Sequence, residues 1–96
     1  MKRMYVLANN QKKYSKPFVQ AAHALSQFAL EHPKQFQEWN NTTLVFLICD
    51  NIEKEMTRLL RKGALCAPFH EPDYNDRLTA ICIYTNKKFM NRYKLM

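Results

Sequence analysis

The sequence predicts a single α/β domain: a mixed sheet of four to five strands flanked by helices, in the order β-α-α-β-α-β-β. Three observations predict it. A chain of 96 residues suits one domain, spanning 1–96, rather than two. Apolar residues make up 47% of it, enough for a packed core and too many for a disordered chain. Short apolar runs of strand composition (RMYVLA, TTLVFLIC, ALCAPF and LTAICIY) alternate with segments of helical periodicity, the pattern of strand–helix–strand units.

The elements follow in order. Arg3 to Ala8 reads as a strand centred on Tyr5, Val6 and Leu7. Asn9 to Ser15 is polar and turn-prone, hence a loop. Pro17 then opens a helix at its first position, with Ser15 or Lys16 near the N-cap. Phe18, Ala22, Leu25 and Ala29 fall at helical spacing and mark its core face, while Lys16, Gln20, His23 and Gln27 step along another face. His32-Pro33 stops that helix, because the residue before a proline disfavours the α region. Pro33 to Trp39 forms a short helix in which Phe36 and Trp39 pack inward, and Asn40-Asn41 is a turn.

Thr42 to Cys49 is a continuous apolar strand, of the kind buried on both faces of a sheet. Asp50-Asn51 caps a helix from Ile52 to about Lys62, with Met56, Leu59 and Leu60 toward the core and Lys54, Arg58, Arg61 and Lys62 in water. Gly63 ends it at the C′ position. Ala64 to Phe69 is a third strand, His70 to Arg77 a polar loop, and Leu78 to Tyr84 a fourth strand. The tail from Thr85 to Met96 reads as a short helix followed by an edge strand.

Composition limits the function. Gly63 is the one glycine in the chain, so neither a P-loop nor a dinucleotide-binding fingerprint can be built. Fifteen Lys and Arg against eight Asp and Glu give a formal charge of +7. Basic domains bind polyanions because each neutralised phosphate releases condensed counterions. Cys49, Cys66 and Cys82 each sit in an apolar run without a CxxC pair, which reads as reduced, buried thiols in a cytoplasmic protein rather than a zinc site or a disulfide framework. The longest apolar run, Thr43 to Cys49, is too short to span a bilayer, and Met4 to Ala8 is too short for a signal-peptide core. No membrane partner is expected.

Two polar stretches stand out. SKPFVQAAHA, from Ser15, enters the first helix; HEPDYNDRLTAI, from His70, joins the third and fourth strands. Ligand sites of open α/β sheets form where such loops converge at strand ends. Acids in one loop opposite a lysine at a helix start would make a mixed-charge pocket.

These stretches resemble the signatures of the type II peptidyl-tRNA hydrolases, the archaeal and eukaryotic form. A lysine four residues before a glutamine, followed by His-Ala, reads here as Lys16, Gln20, His23 and Ala24. An acidic loop running into a strand with a threonine near its start reads as Glu71-Pro72-Asp73 before Leu78-Thr79-Ala80-Ile81. The closing Tyr93-Lys94-Leu95-Met96 is similar to the family's final strand, and the resemblance covers nearly the whole chain. Two departures matter. The glycines of the family's loop before the first helix are replaced by KKYSKPF, and the family's Asp-Ala-Gly-x-Thr stretch by HEPDYND.

The resemblance implies hydrolysis of the ester that joins a peptide, or a blocked amino acid, to the 3′ ribose of tRNA. No metal or cofactor is called for. Lys16 would meet the oxyanion or the terminal phosphate, Glu71 or Asp73 would orient or deprotonate water, and Thr79 would hold that water or the leaving oxygen. Gln20, His23, Lys12 and Lys13 are the substrate-binding candidates. The family precedent and the exposed tail also make a homodimer an expectation. A module that binds tRNA or another RNA without catalysis is the alternative, favoured by the altered acidic loop. A third reading has the charge matching an acidic protein surface.

Overall fold

Alternating side chains make the first strand a two-faced element. In the computed structural model, which describes residues 1–10 and 17–96, β1 is Arg3–Asn9. Met4, Val6 and Ala8 pack on one side of the sheet; Tyr5 and Leu7 pack on the other. The remaining strands are β2 (Leu44–Cys49), β3 (Leu65–Glu71), β4 (Arg77–Thr85) and β5 (Lys94–Leu95). Their order across the sheet is β3-β4-β1-β2-β5. β1 and β2 are parallel, from Met4 opposite Leu44 to Asn9 opposite Cys49. β4 runs antiparallel to both β1 and β3, so β3 points the same way as β1 and β2.

The helices are α1 (Pro17–Glu31), α2 (Pro33–Trp39) and α3 (Ile52–Arg61). α1 and α2 cover the face that holds Met4, Val6 and Ala8, joined there by Ala80, Cys82 and Tyr84 of β4. α3 and a 3-10 helix, Lys88–Arg92, cover the other face through Ile52, Leu59 and Met90. The β2–α3–β3 crossover passes over β1 and β4 and delivers β3 to the far edge. The chain is thus one α/β domain with a mixed five-stranded sheet, as the alternation of patterns predicts. No helix among the described residues is long and apolar enough to cross a membrane.

Several local expectations hold for the expected reasons. Asn51 caps α3 by accepting from the Lys54 N–H at 3.2 Å. Gly63, with φ of 69°, closes α3 by N–H bonds from Gly63 to Leu60 and from Ala64 to Leu59, the Schellman arrangement. Asn40 and Asn41 take left-handed conformations in the turn after α2, which asparagine tolerates better than most residues. Trp39 is buried, and its indole N–H donates to the Thr43 carbonyl at 2.9 Å.

Three expectations are corrected. The buried face of α1 is Gln20, Ala21, Ala24 and Phe28, whereas Phe18 is 53% exposed and Ala22 is exposed. The centre of the stripe lies one residue, about 100°, away from the expected one; of that expected set, Leu25 still packs against the core from its margin and Ala29 is half-buried. Apolar residues surround this helix, so periodicity fits two faces; the sheet takes the one whose small alanines let the helix lie close. Leu60 is 60% exposed, because α3 reaches the sheet through Ile52 and Leu59. Finally, β2 is not buried on both sides: Leu44 is exposed and Val45 and Phe46 are half-buried, since only the two-residue β5 flanks it toward the edge. The expected loop over 9–15 and the N-cap at Ser15 or Lys16 lie outside the described residues, except that Asn9 closes β1 and Asn10 follows it.

The corrected face of α1 makes a prediction. Phe28 is fully buried, edge-on to the Tyr84 ring at 6.2 Å between centroids. Phe28→Ala should lower unfolding free energy by about 3–5 kcal/mol. Leu30→Ala, at a residue 77% exposed, should change it by no more than about 0.5 kcal/mol. Urea titration followed by circular dichroism measures both, and equal losses would contradict the assigned face.

Candidate active site

An irregularity in β4 builds the site. Phe69 of β3 pairs with Ala80, but the next residue, His70, pairs with Leu78, so Thr79 is an extra residue in the ladder. A β-bulge of this kind re-aims one side chain. Leu78 packs on the α3 side and Ala80 on the α1 side. Counted back from Ala80 along β4, strict alternation would send Thr79 to the α3 side. The bulge instead turns it toward α1, where its hydroxyl donates to the Gln20 amide oxygen at 2.7 Å. Both residues are buried, and they lie 59 positions apart in the chain.

This bond ties together the two polar stretches singled out in the sequence. Gln20 lies in the first turn of α1, and Thr79 near the start of β4. The place is the carboxyl end of the parallel strands, where open α/β sheets hold their ligands. Because the Thr79 proton goes to Gln20, the hydroxyl lone pairs are left to accept. The Gln20 amide nitrogen has no hydrogen-bond partner among the described residues.

Glu71 is the last residue of β3 and is 8% exposed. Alternation from Ala67 and Phe69, both on the α1 side, carries it to the same face as Thr79. Its carboxylate has no hydrogen-bond or ion-pair partner among the described residues. Its backbone carbonyl accepts from the Asp76 N–H at 2.9 Å. That bond closes a tight reversal built from the 3-10 turn Pro72–Tyr74 and the left-handed residues Asn75 and Asp76. Asp73 lies on this turn and is exposed. His23 is exposed on α1 and stacks flat on Phe69, with ring centroids 4.6 Å apart and planes 7° from parallel. Lys12, Lys13 and Lys16 lie outside the described residues.

The structure therefore brings Gln20 and Thr79 into contact, puts Glu71 on their face of the sheet and sets His23 against β3. Two features escape a reading of the sequence. Phe69 reads only as the end of a strand, yet it is the platform for His23. Asn9 closes β1 opposite Cys49, 9% exposed, with its side-chain oxygen unpaired among the described residues. An asparagine ending an apolar strand is the signal that could mark it, since strands are depleted in asparagine.

Burial is the largest cause raising all three cysteine thiols above their ordinary value, so the thiolate is scarce near neutral pH. Among the described residues no group of three or more His, Cys, Asp and Glu could hold a metal ion. No protein-family model matches the chain, and no curated protein matches it in sequence.

Two measurements follow. Thr79→Val keeps the side-chain volume but leaves the Gln20 oxygen buried without a donor, which should cost about 1–3 kcal/mol. Thr79→Ser keeps the hydroxyl and should cost less. Chemical denaturation of both variants checks this, and equal or inverted losses would show that the bond contributes nothing.

Burial, helped by the negative charges of Glu55 and Asp50, pushes the Cys49 thiol from 9.0 up to about 12. The unfolded chain then releases this proton first as pH rises. The stabilisation is intact below about pH 9 and is lost as pH climbs toward 12. Cys49→Ala should therefore lose less stability than the unsubstituted chain between about pH 8 and pH 10.5, by about 2 kcal/mol. Denaturation midpoints at the two pH values test it.

Proposed function

We propose that the chain hydrolyses the ester of peptidyl-tRNA or of an N-blocked aminoacyl-tRNA and releases free tRNA. The observation that carries the reading is the buried Thr79–Gln20 hydrogen bond. It links the two stretches that resemble the peptidyl-tRNA hydrolases, at the end of the sheet where ligands bind. The Glu71 carboxylate on the same face, without a partner among the described residues, adds to it, as does the net charge of +7.

The chemistry assigns each group one task. Glu71 takes a proton from a water molecule, and that oxygen attacks the ester carbonyl carbon. Negative charge gathers on the carbonyl oxygen, where the Lys16 ammonium and the Gln20 amide N–H, unpaired among the described residues, stabilise it. The bond from acyl carbon to ribose oxygen then breaks, and the ribose oxygen takes the proton back from Glu71. Thr79, its own proton committed to Gln20, accepts from the water or from the ribose hydroxyl and fixes its position. Between the two candidate carboxylates the burial of Glu71 favours it over the solvated Asp73.

A specific observation favours the second reading, an RNA-binding module without catalysis. Gln20 is 3% and Thr79 2% exposed, which also suits a bond that merely satisfies two buried polar groups. One assay separates them. The purified chain is incubated with N-acetylated aminoacyl-tRNA, and free tRNA is followed with time. The hydrolase reading expects turnover, a fall in kcat of about 10²–10³ in Lys16→Ala and in Glu71→Gln, and no change in Lys34→Ala. Binding that weakens with salt, without turnover, would establish the module instead.

A further inference from the structure

The described cations are not spread evenly over the molecule. α1 and α2 carry Lys34 against Glu31 and Glu38. On the other side of the sheet, α3 and its C-cap carry Lys54, Arg58, Arg61 and Lys62 against Glu53 and Glu55, and the 3-10 helix carries Lys88 and Arg92. A groove runs between these two elements. Arg58, Lys62 and Arg92 line it throughout, Lys54 and Arg61 complete one half, and Lys88 completes the other. The helical part of this row, Lys54 to Lys62, rises about 12 Å along the groove.

Among the described residues no carboxylate lines either half. The nearby Glu55 is already engaged by Arg58, at 3.4 Å, and by the Tyr93 hydroxyl, at 2.8 Å. Lys54, Arg61, Lys62, Lys88 and Arg92 have no ion-pair partner among the described residues.

We infer that this groove holds the phosphodiester backbone of RNA. Six like charges facing one trough repel one another and hold condensed anions, which a strand of phosphates displaces with a gain in entropy. Three of the six are arginines, whose planar guanidinium matches a phosphate with two parallel hydrogen bonds. The row along α3 is long enough to meet successive phosphates. A single small anion would leave most of these cations unmatched. The choice of RNA over DNA rests on the hydrolase reading; the charge complementarity does not.

Fluorescence anisotropy of the full chain with labelled, uncharged tRNA tests the inference, across salt from about 50 to about 200 mM. The double variant Arg61→Glu/Arg92→Glu should weaken binding at least about tenfold. It should also flatten the log–log salt slope by roughly 0.7–0.9 for each phosphate left without its cation. Lys34→Glu, on the opposite face, should change affinity less than about twofold, and polyglutamate at equal charge should not displace the tRNA. If circular dichroism shows the double variant unfolded, the exposed single variants Lys62→Ala and Lys88→Ala carry the same test, each lowering the slope. A Lys34→Glu loss matching that of the groove variants, or displacement by polyglutamate, would overturn the groove as an RNA site. Duplex DNA competing as well as tRNA would overturn the choice of RNA. Loss of tRNA binding confined to the groove variants, in a chain that never turns over ester, would sink the hydrolase reading and leave the groove standing.

Discussion

The extra residue in β4 is the constraint on which the candidate site depends. β4 pairs with β1 in unbroken register as far as Ala80, opposite Ala8, and with β3 on to Arg77, with one shift between Phe69 and His70. It turns a threonine that alternation would place under α3 toward α1 instead. Gln20 can then be buried in the first turn of α1 without leaving its carbonyl oxygen unsatisfied. The same hydrogen bond sets where α1 begins to lie on the sheet, and the alanines that follow, Ala21 and Ala24, let it stay close. A polar bond at one end and small side chains beyond it thus fix the helix that carries the first of the two polar stretches.

The sheet also separates two kinds of surface. On the α1 side are a polar pair, a buried carboxylate and a histidine stacked on Phe69. On the α3 side is a groove of cations whose neighbouring acid is already paired. In the proposed reading, chemistry and charge therefore fall on opposite faces of one thin domain. A substrate as large as tRNA spans such a distance, whereas a small ester would gain nothing from the second face.

The element order and strand centres are legible in the sequence because they rest on local rules. Asn51 before a helical run, Gly63 after it, and the paired asparagines at 40 and 41 each favour a cap or left-handed conformation, and the chain takes it. The buried face of α1 is less legible. Its apolar residues suit two stripes, and the sheet, not the helix, chooses between them. Leu60 and β2 depart from expectation for a related reason: burial depends on what lies alongside, and a sequence does not state that β2 has only a two-residue neighbour toward the edge.

The site is partly legible. Gln20 and Thr79 are marked by their stretches, but their contact depends on a bulge that no pattern in LTAICIY announces. The grouping of Arg58, Arg61 and Lys62 with Lys88 and Arg92 is invisible in the sequence, since it arises from the tail folding back along α3. In the proposed reading, water delivered on the Gln20–Thr79 side cleaves the acyl–oxygen bond. The direct measurement is reaction of N-acetylated aminoacyl-tRNA with the chain in water enriched in heavy oxygen, followed by mass spectrometry of both products. Acyl–oxygen cleavage by water places one heavy oxygen in the released acid and none in a tRNA that can be charged again. Label in the tRNA, or no acid released above the enzyme-free control, would contradict it.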